Sequence, residues 1–399
     1  MRDFLLDDAA RRLRAEVGAF FARELAPRAA AIEADGGFPA VREAVRATGA
    51  AGYLSLLLGE HHRTEDTGVA EPGLVHATIV SEEAAALSYA FESTIATSLS
   101  CALPLRRHAT AAVRAAHLGP LARGEALGAI CITEPGVGSD SAGMATRIAT
   151  DAGTGDLVVH GIKRYISNAG VAEVYIVYGI SDTDVPAQRG MTAVVIPGDA
   201  PGLSFPRSYT MMGRRGCVVG EVALDGVRVP ADHILGEPHA GFRVMVGMFN
   251  LERILLGGAG LGLARAAFDI AREHARSRHS FGAPLGAKQL IWERIAELSW
   301  RLDAAELLTY RAARAHDDGC EGKALMREAA MAKLVATQTA VACADAAVQI
   351  LGGDGLTKDF SRAEQLYRDA RAMPIVGGTS EMAKYVIASR DLPDLHLDL

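Results

Sequence analysis

A group of short β-branched runs, set between two long stretches of helix-forming residues, constrains this fold more than any other feature. Between about Gly124 and Gly236 the runs Leu157-Val-Val159, Val174-Tyr-Ile-Val-Tyr178, Thr192-Ala-Val-Val-Ile196 and Val222-Ala-Leu-Asp-Gly-Val-Arg-Val229 alternate with turn residues. That spacing predicts an antiparallel β domain, with Asp225-Gly226 as a turn. No long helical pattern separates the runs, which disfavours a doubly wound parallel sheet. Before them, Ala, Arg, Leu and Glu dominate, and breaks fall at Pro27, at Gly36-Gly37-Phe38-Pro39 and around Gly68 to Gly73. After them the helical period returns. Ile291, Ile295, Leu298 and Leu302 mark one stripe, and Met326 to Leu351 is a long helix candidate stopped by Gly352-Gly353-Asp354-Gly355. The prediction is an α+β multidomain chain: helical residues 1–123, a β domain at 124–236 and a helical domain at 237–399.

Composition narrows the function. At 399 residues and 49% hydrophobic, the chain can bury sizeable cores. Its 48 acidic and 41 basic side chains leave a formal charge of -7, which argues against a nucleic-acid backbone as the main partner. The five cysteines, Cys101, Cys131, Cys217, Cys320 and Cys343, are scattered and form no CxxC pair. A disulfide framework or zinc ribbon is therefore not expected, and a reducing cytoplasm is. The amino terminus, Met1 to Asp8, lacks the apolar core of a secretion signal, and no unbroken apolar run is long enough to span a bilayer. The expected protein is soluble and cytoplasmic, without membrane insertion. Adjacent histidines in Gly59-Glu60-His61-His62-Arg63 cannot share a helix face, so no metal site is expected there.

Two segments carry chemistry. Met245, Met248, Phe249, Glu252, Leu255, Leu256 and Ala259 follow helical spacing, so a carboxylate stands in an apolar stripe. Burying it raises its pKa, as a general base working near neutral pH requires, although pairing with a cation on a neighbouring helix is the plainer alternative. Arg253, about 100° further round the helix, is no automatic partner. The small residues Gly257-Gly258-Ala259-Gly260-Leu261-Gly262 follow no strand, so they read as close helix packing rather than a dinucleotide fingerprint. The second segment, Ile132-Thr-Glu-Pro-Gly-Val-Gly-Ser-Asp140, can present amides and hydroxyls to a polar ring or phosphate. Lys163-Arg-Tyr-Ile-Ser-Asn168, Arg278-His-Ser-Phe-Gly282 and Gln349-Ile-Leu-Gly-Gly-Asp-Gly355 follow in order.

Together these segments resemble the acyl-CoA dehydrogenase family over nearly the whole chain. The resemblance implies FAD held between the β domain and the C-terminal helices. Ile132, Thr133, Gly138 and Ser139 would form the flavin loop, Ser139 also reaching the substrate's pantetheine arm. Tyr165 and Ser167 match the family's flavin-covering aromatic and the hydroxyl at flavin N5. Arg278, Phe281, Gln349, Gly352 and Gly353 match residues that reach the FAD of a neighbouring subunit, Thr379 the same-subunit site, and Gln289 and Glu381 are further implied cofactor-binding residues. A homo-oligomer, by family habit a dimer of dimers, is implied.

The decisive departure is at the carboxy terminus. Where many members carry the base in Tyr-Glu-Gly-Thr, this chain reads Val376-Gly-Gly-Thr379. A minority branch, including isovaleryl-CoA dehydrogenases, places the base on a helix in a Leu-x-x-Glu-Arg context, and Phe249-Asn-Leu-Glu-Arg-Ile254 resembles it. Glu252 is then the implied base, with the amide of Gly377 stabilising the thioester oxygen. Phe249, Asn250, Arg253 and Val376 are the implied substrate neighbours. Val137, Gln365 and the Gly59 to Gly68 loop depart from the family pattern in smaller ways. The implied reaction is α,β-desaturation of an acyl-CoA, with an electron-transfer flavoprotein as acceptor. Dehydrogenation of carrier-protein-tethered acyl or aminoacyl groups such as prolyl, a flavin monooxygenase on the same fold, and a flavin-binding scaffold without a base are the alternatives.

Overall fold

The computed structural model describes residues 6–57 and 73–395. The N-terminal helices are α1 (Asp8–Glu24), α2 (Ala29–Glu33), α3 (Phe38–Ala50), α4 (Leu74–Leu87), α5 (Tyr89–His108) and α6 (Ala111–Ala122). Asp7, Ser88 and Thr110 each accept a backbone N–H at a helix start, which is why the chain turns into α1, α5 and α6 where it does. The His61-His62 stretch and the Gly59 to Gly68 loop lie outside the described residues.

The strands that follow are β1 (Gly128–Cys131), β2 (Arg147–Thr150), β3 (Leu157–Ser167), β4 (Val174–Ile180), β5 (Met191–Pro197), β6 (Leu203–Ser204) and β7 (Val219–Val229), with the short helix α7 (Ala187–Gly190) before β5. They form one seven-stranded sheet ordered β1-β4-β2-β3-β7-β6, with β5 beside β4. The expected all-antiparallel sheet is corrected to a mixed one, because β1 runs parallel to β4 and β2 bridges β4 in parallel. The Asp225-Gly226 turn is also corrected. Both residues lie within β7, opposite His160, where the β3/β7 register shifts. Gly226 takes φ +66° there. An Asp-Gly pair supplies the left-handed conformation for a hairpin turn or for a bulge, and here it makes a bulge.

The C-terminal part comprises α8 (Gly241–Ser277), the ribbon β8 (His279–Ser280) and β9 (Ala283–Pro284), α9 (Gln289–Asp317), α10 (Gly322–Leu351), α11 (Ala363–Ala372) and α12 (Ser380–Asp391). The small-residue run packs closely, as its sequence suggested. A Cβ on Gly258 would meet the Thr78 carbonyl of α4 at 2.8 Å, and one on Gly260 would lie 3.0 Å from Ala336 of α10. Helices α8 and α10 contain windows long and apolar enough to cross a membrane, with mean hydropathy 1.5, although neither is an unbroken apolar run. In the fold the α8 window is 83% buried, as the central helix of the bundle. All five cysteines are free thiols.

Candidate active site

Glu252 is on the α8 face that turns from the helical core towards the sheet. Met245, Met248, Leu255 and Ala259 of its stripe are buried, whereas Phe249 and Glu252 are half-buried. Burial of its surroundings raises the Glu252 carboxyl to about 7, with the charges of Arg253 and Lys333 pulling it back. Neither cation bonds to the carboxylate. Arg253 Nε donates to the Gly377 carbonyl at 3.5 Å, and Lys333 Nζ to the Gly378 carbonyl at 2.7 Å. Lys333 is fully buried, and that burial, followed by the Arg253 charge, lowers its ammonium to about 8. Two cations thus pin the turn at residues 377 and 378, whose φ values are +64° and +90°. A Cβ on Gly377 would overlap Leu256 Cδ1 and lie 3.8 Å from Glu252 Oε1. A side chain at this turn would be strained, and the Glu252 carboxylate borders the space it would enter.

The 132–140 loop leaves β1 and folds back through a bridge between Glu134 and Val137. Its anchor is an ion pair absent from the sequence reading. Lys163 Nζ, fully buried on β3, bonds Glu134 Oε1 at 2.8 Å and the Ile132 carbonyl at 3.1 Å. Glu134 also accepts the amides of Ala145 at 2.5 Å and Thr146 at 3.0 Å. Burial alone would raise Glu134, yet Lys163 and these donors hold it below its ordinary value. Held from beneath, the loop leaves Thr133 half-buried and Gly138 and Ser139 exposed. A Cβ on Gly136 or Gly138 would meet nothing within 4 Å, so the loop borders open space.

Tyr165 marks a bulge in β3, where pairing with β7 shifts between Lys163 and Ile166. Its φ is +55° and its side chain is 56% exposed. Such strain in a bulky residue persists where the surroundings enforce it, and bulges re-aim side chains in this way. Two residues on, half-buried Ser167 accepts a hydrogen bond from Arg214 Nη2 at 2.8 Å.

A chain of contacts links these parts into one site. Arg214 lies over the Tyr89 ring at 5.6 Å and shares an electrostatic interaction with Glu92. Ser81 Oγ donates to Glu92 Oε1 at 2.5 Å and approaches the Leu255 carbonyl at 3.1 Å, less than one turn from Glu252. Ile132 and Val137 share an apolar cluster with Tyr178, Met245, Met248 and Phe249. Val376 packs against the cluster containing Leu256. The structure therefore brings together Ile132, Thr133, Ser167, Phe249, Glu252, Arg253, Val376 and Gly377. Asn250 is not brought in. It is 2% exposed and donates to the Gly322 carbonyl at 3.2 Å, because two helical steps turn it roughly 200° from Glu252.

A second group is remote. Arg278 stands beyond the far end of α8, roughly 39 Å from Glu252 at ~1.5 Å per residue. Arg278, Phe281, Gln289, Gln349, Gly352 and Gly353 are all exposed, Phe281 at 96% and φ +51°. Thr379 caps α12, accepting from the Met382 amide at 3.2 Å, with Glu381 exposed beside it. Sequence reasoning missed Lys333, Arg214 and Glu92. All three are buried ionisable groups scattered along the chain, and only their juxtaposition distinguishes them from solvated charges.

A flavin fits the arrangement. An exposed aromatic on strained backbone, a hydroxyl whose acceptor side is occupied and whose proton is free, and a glycine loop facing open space are what a polar ring needs. Comparison with known proteins agrees. Profiles of the acyl-CoA dehydrogenase N-terminal, middle and C-terminal domains match residues 7–125, 129–227 and 239–392. The human mitochondrial short-chain specific acyl-CoA dehydrogenase is 34% identical, over 92% of this chain and 86% of its own length. A solved glutaryl-coenzyme A dehydrogenase in complex with glutaryl-CoA superposes with a TM-score of 0.89 at 33% identity, covering 97% of this chain and 96% of the other. A Mycobacterium smegmatis glutaryl-CoA dehydrogenase in complex with FADH2 gives 0.87 at 27% identity, covering 99% and 97%. The chain belongs to the acyl-CoA dehydrogenase family, as an FAD-dependent oxidoreductase of that family.

Proposed function

We propose that the chain desaturates an acyl-CoA between Cα and Cβ, with Glu252 removing the α proton. Bound FAD supplies the acceptor for the β hydrogen and its electron pair. The reading rests on one observation: Glu252 Oε1 lies 3.8 Å from where a side chain on Gly377 would begin, the position that matches the base of many family members. A carboxyl raised to about 7 is matched to a weak carbon acid at neutral pH. The pinned turn directs backbone N–H groups at the thioester oxygen as it gains negative charge, the preorganised stabilisation such a step requires. Phe249 and Val376 exclude water from the reacting carbons. Thr133, Tyr165 and Ser167 hold the ring.

The remote exposed group favours a second copy of the chain, since α8 is too long for both of its ends to serve one cofactor site. Leu290, Trp292 and Trp300 on α9 are 83%, 51% and 56% exposed, an apolar surface suited to that contact. An electron-transfer flavoprotein is the proposed acceptor. The test is anaerobic bleaching of the bound flavin by a panel of CoA and carrier-protein thioesters, repeated with Glu252→Gln. Bleaching by CoA thioesters that collapses in the variant supports the reading. Bleaching only by carrier-bound acyl groups would replace the substrate, and unchanged bleaching by Glu252→Gln would remove the base.

A further inference from the structure

Ser167 has a charged neighbour whose purpose the desaturation leaves open. Arg214 is 5% exposed and sits at φ +60°, a left-handed conformation that strains a residue with a side chain. Several contacts enforce it. Its amide donates to Asp369 Oδ1 at 2.6 Å, its Nη2 reaches Cys217 Sγ at 3.4 Å, and its guanidinium lies over Tyr89. None of them neutralises the charge. Asp369 serves the backbone amide, and burial raises its carboxyl to about 6. Glu92, the acid that interacts with Arg214, is raised by burial to about 7. Among the described residues no carboxylate forms a hydrogen-bonded ion pair with the guanidinium, and Arg214 Nε has no hydrogen-bond partner. Burial by itself disfavours this cation, but Cys217, Tyr89 and Glu92 outweigh it, and further negative charge nearby would favour the cation more.

The Ser167 hydroxyl carries that influence outward. Its oxygen accepts from Arg214, which leaves its proton to donate to another acceptor. A hydroxyl that accepts from a cation is polarised and becomes a stronger donor.

We propose that Arg214 is a tuning residue, a buried cation that acts through Ser167 to stabilise the negative charge the flavin ring gains on reduction. The inference rests on the assignment of Ser167 to the flavin ring. In the desaturation the Cα–H bond breaks and its proton goes to Glu252. The Cβ–H bond breaks and its hydrogen leaves with both electrons for ring N5, as the Cα–Cβ π bond forms. The substrate loses two electrons and the ring gains two, with one hydrogen and one negative charge. Arg214 lowers the energy of that charge and so raises the reduction potential.

The test is an anaerobic redox-dye titration of the holoenzyme, with flavin content measured in parallel. Arg214→Met is expected to keep its flavin and to lower the reduced-to-oxidised equilibrium constant at least tenfold, ~30 mV for a two-electron couple. Arg214→Lys, which keeps the charge, is expected to change it less than threefold. Ser167→Ala added to Arg214→Met is expected to change it less than twofold further. If Arg214→Met fails to fold, Arg214→Gln against Arg214→Lys makes the same comparison. An Arg214→Met constant within threefold of the parent, or an Arg214→Lys that falls as far as Met, overturns the proposal. The dyes need neither Glu252 nor a thioester, so failure of the desaturation reading leaves this result readable, and the reverse also holds.

Discussion

Glu252 Oε1 lies 3.8 Å from the point where a β carbon on Gly377 would stand, although 125 residues separate the two in sequence. The turn lacks a side chain, and a helix from elsewhere in the bundle delivers a carboxylate to the same space. Glu252→Gln is isosteric and uncharged. Flavin content should stay at the parent level while anaerobic bleaching by acyl-CoA slows about 10²–10⁴-fold or more. Stopped-flow absorbance of the flavin measures both.

Because burial raises Glu252 to about 7, the bleaching rate should climb tenfold per pH unit below that value and level off above it. Lys333 holds the Glu252 pKa down, so Lys333→Met should move the profile to higher pH. A profile that stays in place would show that the Lys333 charge does not reach the carboxylate.

Gly377→Ala tests the turn. At φ +64° any side chain is strained, and the new Cβ overlaps Leu256 Cδ1. We expect a stability loss of about 1–3 kcal/mol with a larger loss of bleaching rate, since the amides proposed to stabilise the thioester oxygen move with the turn. Chemical denaturation read beside flavin bleaching separates the two losses.

The 132–140 loop depends on Lys163. Replacing it with Met leaves Glu134 buried without its cation, at a cost of about 3–5 kcal/mol. The expected result is a lower melting temperature and reduced flavin per polypeptide. Lys163→Met with full flavin content would show that the loop is held by its backbone bridges alone.

Glu92 predicts a pH-dependent stability. Its carboxyl rises from an ordinary 4.5 to about 7 on folding, chiefly through burial. The neutral acid is therefore favoured in the fold. Its stabilising contribution is complete below about 4.5 and is lost as pH rises through about 7. Glu92→Gln should match the parent near pH 4.5 and exceed it at pH 8, on the order of 1–3 kcal/mol. Equal melting curves at pH 8 would contradict the burial of a charge there.

The helix–β–helix order was legible because each block repeats its own period, 2.0 or 3.6, over enough residues to outweigh local exceptions. Glu252 stood out for the same reason, as the one carboxylate in an apolar stripe. What misled was local chemistry with two uses. Asp225-Gly226 has the backbone freedom of a turn, and only the neighbouring strand makes it a bulge. Parallel pairing of β1 with β4 leaves no mark in either strand, because a buried strand is apolar whichever way its neighbour runs. The resemblance implied Asn250 as a substrate neighbour, but helix geometry turns it away from Glu252.

The sequence by itself determined the blocks, the apolar stripe with its carboxylate, the glycines that permit close helix packing and the glycine pair before Thr379. Periodicity and backbone freedom are properties of neighbouring residues, so they can be read along a chain. The tertiary structure decided which charges meet: Lys333 and Arg253 on the carbonyls of Gly378 and Gly377, Lys163 under the loop, and Arg214 behind Ser167. Electrostatic partners act through space at a few ångströms, and segments far apart in sequence reach that distance only when the core has packed.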